Sequence, residues 1–174
     1  MLLAASLLIA RAFSLEAIPD ATPEIFMGGP ENLALVNSAK AIKVFRILNP
    51  AQKSKPKNVV IIDGQQCTAA AVNVAGQEVQ QVIVAMSDMT NFGGALKCDF
   101  DPGVIFRFEA DGHTLDVIIC FHCQEMVLYG DGAVVRRPFK WASTKNAFSK
   151  PAHLAFVAMA KKAFPKDAEI QKLK

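Results

Sequence analysis

Residues 103–137 read GVIFRFEADGHTLDVIICFHCQEMVLYGDGAVVRR, and the dipeptides Asp111-Gly112 and Asp131-Gly132 set the geometry of the stretch. A two-residue type I′ turn needs positive φ at both central positions, which Asp-Gly tolerates, so each dipeptide between alternating apolar residues marks a β-hairpin. With Ala110 and His113 flanking the first turn, Arg107 falls opposite Asp116 and Glu109 opposite Thr114. The same register sets Val104, Phe106 and Phe108 against Ile119, Val117 and Leu115. One face of the hairpin is then core and the other meets water. Around the second turn, Gly130 pairs with Ala133, Tyr129 with Val134 and Leu128 with Val135.

These segments make a three-stranded meander. Its apolar phase moves from the odd positions Leu115, Val117 and Ile119 to the even positions Met126 and Leu128. A strand keeping one face buried changes phase by inserting a residue, so a bulge is expected within Cys120-Phe121-His122-Cys123, where no hairpin turn is evident.

Upstream, Val79, Val82, Ile83 and Met86 form one apolar stripe of a helix over about 77–89. Glu31 to Ala39 reads as a short helix, and Ile42, Val44, Arg46 and Leu48 as a strand. The two prolines and closely spaced lysines of 49–57 make a loop, after which 58–62 resumes as a strand ending at Asp63-Gly64. Downstream, Ser149 is a good N-cap for a helix carrying Ala152, Phe156, Met159, Ala160 and Ala163 on one face, stopped at Pro165. The expected fold is α+β: an antiparallel sheet of about four to six strands packed against two longer helices.

The chain has 174 residues, enough for one domain with its own core, assigned to 18–174. Its 19 Lys and Arg against 16 Asp and Glu give a net charge of +3, which offers no strong nucleic-acid or membrane signal. Residues 1–17 begin with an apolar stretch the length of a signal-peptide core, with small residues after it that suit cleavage. Export to the periplasm or beyond is expected. The alternative is a packed first helix in a cytoplasmic protein.

Chemistry centres on the cysteines. In an exported protein, Cys98 with Cys120 or Cys123 closes a disulfide loop worth about 3 kcal/mol in the chain-entropy account. As thiolates, Cys98, Cys120 and Cys123 could instead hold zinc, with Cys67, His122 or His113 as the fourth ligand, although no second Cys-x-x-Cys supports the site. A redox pair is the third reading, weakened because Gln124 to Tyr129 reads as strand where oxidoreductases place a helix. Gln124 also excludes a c-type haem attachment.

No nucleotide-loop, serine-hydrolase or zinc-protease motif occurs. Arg107 with Asp116 reads as a cross-strand ion pair, His113 as a turn residue and His153 as a helix-surface residue. Arg136, Arg137, Lys140 and Trp141 form a weak anionic-ligand patch.

The chain resembles a family of uncharacterised exported bacterial proteins. The resemblance rests on Lys97-Cys98, Phe100, Pro102-Gly103-Val104, Phe106-Arg107-Phe108, Leu115-Asp116-Val117, Cys120-Phe121, Cys123 and Tyr129. It resumes at Ala160-Lys161, Phe164-Pro165, Asp167 and Ile170-Gln171. It implies a bacterial origin and an exported setting, and it carries no activity or catalytic residue. The expected function is a non-catalytic binding or structural domain stabilised by its cysteines, with no cofactor. The alternative is a metal- or thiol-dependent enzyme using Cys98, Cys120 and Cys123, with zinc as its metal.

Export carries a measurable consequence. Material secreted by a bacterial host should show, by intact mass, a new N-terminus between about residues 13 and 18. Retention of Met1 in a folded cytosolic product would contradict it.

Overall fold

All three Asp-Gly dipeptides adopt the left-handed backbone that a tight turn requires, with φ of 46° and 79° at Asp63-Gly64, 52° and 83° at Asp111-Gly112, and 48° and 76° at Asp131-Gly132. The computed structural model describes residues 22–49, 58–93, 99–136 and 147–174. The expected leader, Cys98 and the segment holding Arg137, Lys140 and Trp141 lie outside them.

The chain runs α1 (Pro23–Met27), α2 (Pro30–Ser38), β1 (Ala41–Arg46), β2 (Val59–Ile62), β3 (Gln65–Thr68), β4 (Val72–Ala75) and α3 (Gln77–Ser87). After a 3-10 turn come β5 (Val104–Ala110), β6 (His113–Cys120), β7 (Glu125–Gly130), β8 (Ala133–Arg136), α4 (Lys150–Ala163) and α5 (Ala168–Gln171). Six strands form one antiparallel sheet in the order β4-β1-β5-β6-β7-β8, and β2 with β3 forms a separate hairpin. The fold is α+β, as the hydrophobic pattern requires.

Register in the first hairpin follows the sequence: Arg107 opposes Asp116, Glu109 opposes Thr114, and Phe106 opposes Val117. The expected bulge at 120–123 is a hairpin turn instead. Residues 121–124 connect β6 to β7, with Gln124 at φ 52°, so the meander has four strands. A four-residue turn between Cys120 and Glu125 sets odd-numbered residues of β6 opposite even-numbered residues of β7, as in Ile119 with Met126 and Val117 with Leu128. The phase change therefore needs no inserted residue. The irregularity lies one strand later: Tyr129 pairs with Val134 as expected, but Leu128 pairs with Arg136, leaving Val135 unmatched.

Two layers cover the sheet. On the front, Val104, Phe106, Phe108, Leu115, Val117, Ile119, Met126 and Leu128 are fully buried beneath the helices. Val79, Val82, Ile83 and Met86 of α3 are buried as their spacing predicts, and Phe156 of α4 packs edge-on against Phe106 at 6.1 Å. Ser149 caps α4 by accepting from the Ala152 N–H, and Lys161 and Lys162 in its last turn complement the helix dipole. The closing segment is itself a short helix, α5, capped by Asp167. Arg46 of β1 holds it through Asp167 at 2.8 Å and through Glu169.

The back face is not wholly wet. Ile105, Ile118 and Val127 join Phe45, Ile47, Ile62 and Cys67 in a second, smaller core under the β2–β3 hairpin. Expecting one wet face was the error of treating the meander alone, since the strand before Asp63-Gly64 folds back over it.

Gly28 ends α1 with φ 80°, and a Cβ there would lie 2.1 Å from Cγ1 of Val135 on β8. Gly28→Ala should therefore cost more than backbone strain alone, about 2 kcal/mol or more in urea unfolding. Gly64→Ala, at φ 79° with open space around it, isolates the strain component. Equal losses in the two variants would show that α1 and β8 are not in close contact.

Candidate functional site

Two groups of polar chemistry emerge from the topology, one in the β6–β7 turn and one beneath the β2–β3 hairpin. In the first, the end of β6 delivers Cys120 into the turn, where its sulfur accepts the Cys123 N–H at 3.1 Å. The Cys123 thiol donates to the Asp99 carbonyl at 2.9 Å. Both sulfurs are buried. Burial pushes the Cys120 thiol up to about 12, with the Cys123 side-chain hydrogen bond adding to the shift against the backbone N–H groups of Cys123 and Asp101. No helix begins here to favour a thiolate, in keeping with the weakness of the redox reading.

No disulfide joins Cys67, Cys120 and Cys123, and the expected partner Cys98 lies outside the described residues. Among the described residues, no three His, Cys, Asp or Glu side chains gather as a metal-binding group, and the zinc site expected around Cys98 lies partly outside those residues. His122 is exposed in the turn. His113 stands at the opposite end of β6, where its Nδ1 meets Asp131 at 3.0 Å and so ties the two Asp-Gly turns together. That carboxylate raises the His113 pKa. Arg136 ends β8, and the rest of the anionic-ligand patch lies outside the described residues.

His153 corrects the expectation of a surface residue. It is 8% exposed, its Nε2 donates to the main-chain oxygen of Lys174 at 2.6 Å, and its ring stacks on Phe148 at 5.9 Å. Spacing could have shown this, because His153, Phe156 and Ala160 share the buried face of α4.

The second group grows from the hairpin register. Arg107 Nε and Nη2 donate to Asp116 Oδ1 and Oδ2, both at 2.7 Å, and the guanidinium lies 5.2 Å from the Phe45 ring centre. The partners meet as expected, but under cover: Asp116 is 2% exposed. Asp63, at the tip of the β2–β3 hairpin, completes the group as a second carboxyl beside Asp116. Its Oδ2 is buried and has no hydrogen-bond partner among the described residues. Burial first, then Asp116, pushes Asp63 up to about 6 against the opposing pull of Arg107.

Cys67 on β3 closes the group. It is fully buried, and desolvation with the nearby Asp116 charge pushes it up to about 12. Sequence reasoning misses Asp63, whose Asp-Gly dipeptide signals a turn and nothing about what the turn touches.

No family model, curated protein or solved structure matches this chain. Its residues are therefore read on their own geometry.

A buried pair behaves unlike the exposed one expected from sequence, which would contribute on the order of 0–1 kcal/mol. Asp116→Ala strands a largely covered guanidinium and should lower unfolding stability by about 2–4 kcal/mol. Replacing both partners, Arg107→Met with Asp116→Leu, should cost less than the single change, because neither charge is left behind. Additive losses in the double-mutant cycle would contradict the coupling.

Proposed function

We propose that this chain is an exported bacterial domain that binds or supports a partner without catalysing a reaction, its cysteines serving as packing groups. The observation that carries this reading is the state of the thiols. Cys67, Cys120 and Cys123 are buried, and burial pushes the Cys67 and Cys120 thiols up to about 12, which disfavours the thiolate a nucleophile needs near pH 7. Three other titratable groups make structural contacts: Asp116 with Arg107, His113 with Asp131, and His153 through Nε2 with the Lys174 main-chain oxygen.

Export is compatible with unbridged cysteines when oxidants cannot reach them, and full burial supplies that protection. The exported setting itself rests on the apolar leader and on the family resemblance. A metal- or thiol-dependent enzyme using Cys98, Cys120 and Cys123 remains the rival outcome.

One experiment separates them. Native protein titrated with a thiol reagent at pH 7, then again in denaturant, should hold Cys67 and Cys120 unreactive until it unfolds, and elemental analysis should find no stoichiometric metal. Bound zinc at one equivalent, lost together with stability on chelation, would overturn the non-catalytic reading in favour of a metal site. Rapid modification of Cys120 in the native state would overturn it in favour of thiol chemistry.

A further inference from the structure

We propose that the closing segment 167–174 is an internal ligand seated on a peptide-binding site made by Arg46, Phe121, Phe148 and His153, and that an acidic, apolar segment of a partner protein takes its place there. The proposal rests on the reading of this chain as a binding domain and names the chemistry of the partner.

The seat is continuous. At the end of β1, Arg46 Nη1 donates to the main-chain oxygens of Ile47 at 3.0 Å and Gly103 at 2.9 Å, which fixes the guanidinium and leaves Nε and Nη2 for a ligand. A Cβ on Gly103 would lie 3.9 Å from Arg46 Nη1 and 3.5 Å from the Phe121 ring, so cation and ring sit side by side. Phe121 meets the His153 ring edge-on at 6.1 Å, and Phe148 stacks on that ring at 5.9 Å. His153 Nε2 supplies a hydrogen-bond donor at the far end.

The closing segment matches this seat group by group. Asp167 Oδ2 accepts from Arg46 Nε at 2.8 Å and Glu169 accepts from Nη2, Ile170 enters the main core, and the main-chain oxygen of Lys174 accepts from His153 Nε2 at 2.6 Å. Two carboxylates, an apolar side chain and a backbone oxygen therefore define what the seat recognises.

The occupant is held lightly enough to exchange. Within 167–174 only Ile170 is buried. With four residues, α5 is far shorter than a helix that is stable alone, so it keeps its shape through its contacts. One side chain governs both shape and docking, because Asp167 Oδ1 caps α5 at the Glu169 and Ile170 N–H groups while Oδ2 meets Arg46. The fit is also incomplete: with Nε2 donating, His153 Nδ1 is buried without a hydrogen-bond partner among the described residues. A ligand that brings a donor to Nδ1 gains over the chain's own segment. Exchange replaces one cover by another at the rim of the helical layer, so the core is never left open.

A labelled synthetic peptide of residues 166–174 tests the seat on the intact chain by fluorescence anisotropy. Wild type should bind it weakly, because the tethered segment competes at high effective concentration. The full chain carrying Asp167→Asn and Glu169→Gln should bind it about tenfold more tightly, its own segment being weakened. Adding Arg46→Gln to that variant, or replacing both acids of the peptide by their amides, should abolish the gain. In wild type, with no substitution, excess unlabelled peptide should lower the hydrogen-exchange protection of the bonded amides at 170–173 while α4 stays constant. Equal binding of the neutral peptide, no binding to the weakened variant, or protection at 170–173 that matches α4 and ignores the peptide would overturn the proposal. Bound zinc or a reactive Cys120 would overturn the non-catalytic reading without moving any of these results, so the two fail separately.

Discussion

Burial on both faces of a single antiparallel sheet is the constraint from which the other features follow. Apolar side chains alternate along β5, β6 and β7 so that Phe106, Val117 and Leu128 face one way while Ile105, Ile118 and Val127 face the other. Each set must be taken from water, and burial of a large aliphatic or aromatic side chain is worth about 1.5–3 kcal/mol. The front set carries most of that burial and recruits the helices. The back set is short and recruits only a hairpin. Charge placement follows the same division, since Arg107 and Asp116 occupy the back positions next to Ile105 and Ile118, where the smaller cover reaches them.

Legibility in the sequence tracked how local each signal is. Asp111-Gly112 fixes its own turn, so the β5–β6 register could be read residue by residue, and Val79 through Met86 state their helix in eight positions. The Cys120 to Cys123 segment was misread because none of its residues announces a turn. Gln124, which adopts the left-handed backbone there, is not among the residues that favour it, so the phase change was assigned to a bulge. Leu128 lost its expected partner because a shift within β7–β8 is invisible to counting from the turn.

The candidate site was half legible for the same reason. Arg107 and Asp116 face each other across one hairpin, and alternation alone brings them together. Asp63 is separated from Asp116 by three other strands in sequence and comes near it by packing of one sheet on another, which no spacing rule encodes. His153 is the opposite case. Its place on the buried face of α4 is available from helical period, which here outweighs the usual intermediate exposure of histidine.

Unequal cover on the two faces has a consequence for how such a domain could work. The helical face is a closed core whose side chains interlock, as in the Phe106, Phe156 and Phe148 contacts at 6.1 and 5.0 Å, and opening it means unfolding the protein. The hairpin face is closed by fewer side chains. Local opening is drawn from the least stable part of a fold, and here that part lies over a strip of Phe, Ile and Val side chains. A binding surface that exists only when its cover lifts would leave the closed protein with little exposed apolar area on this side. Buried thiols fit that division of labour, because Cys67 contributes packing under the cover and no reactivity while it stays closed.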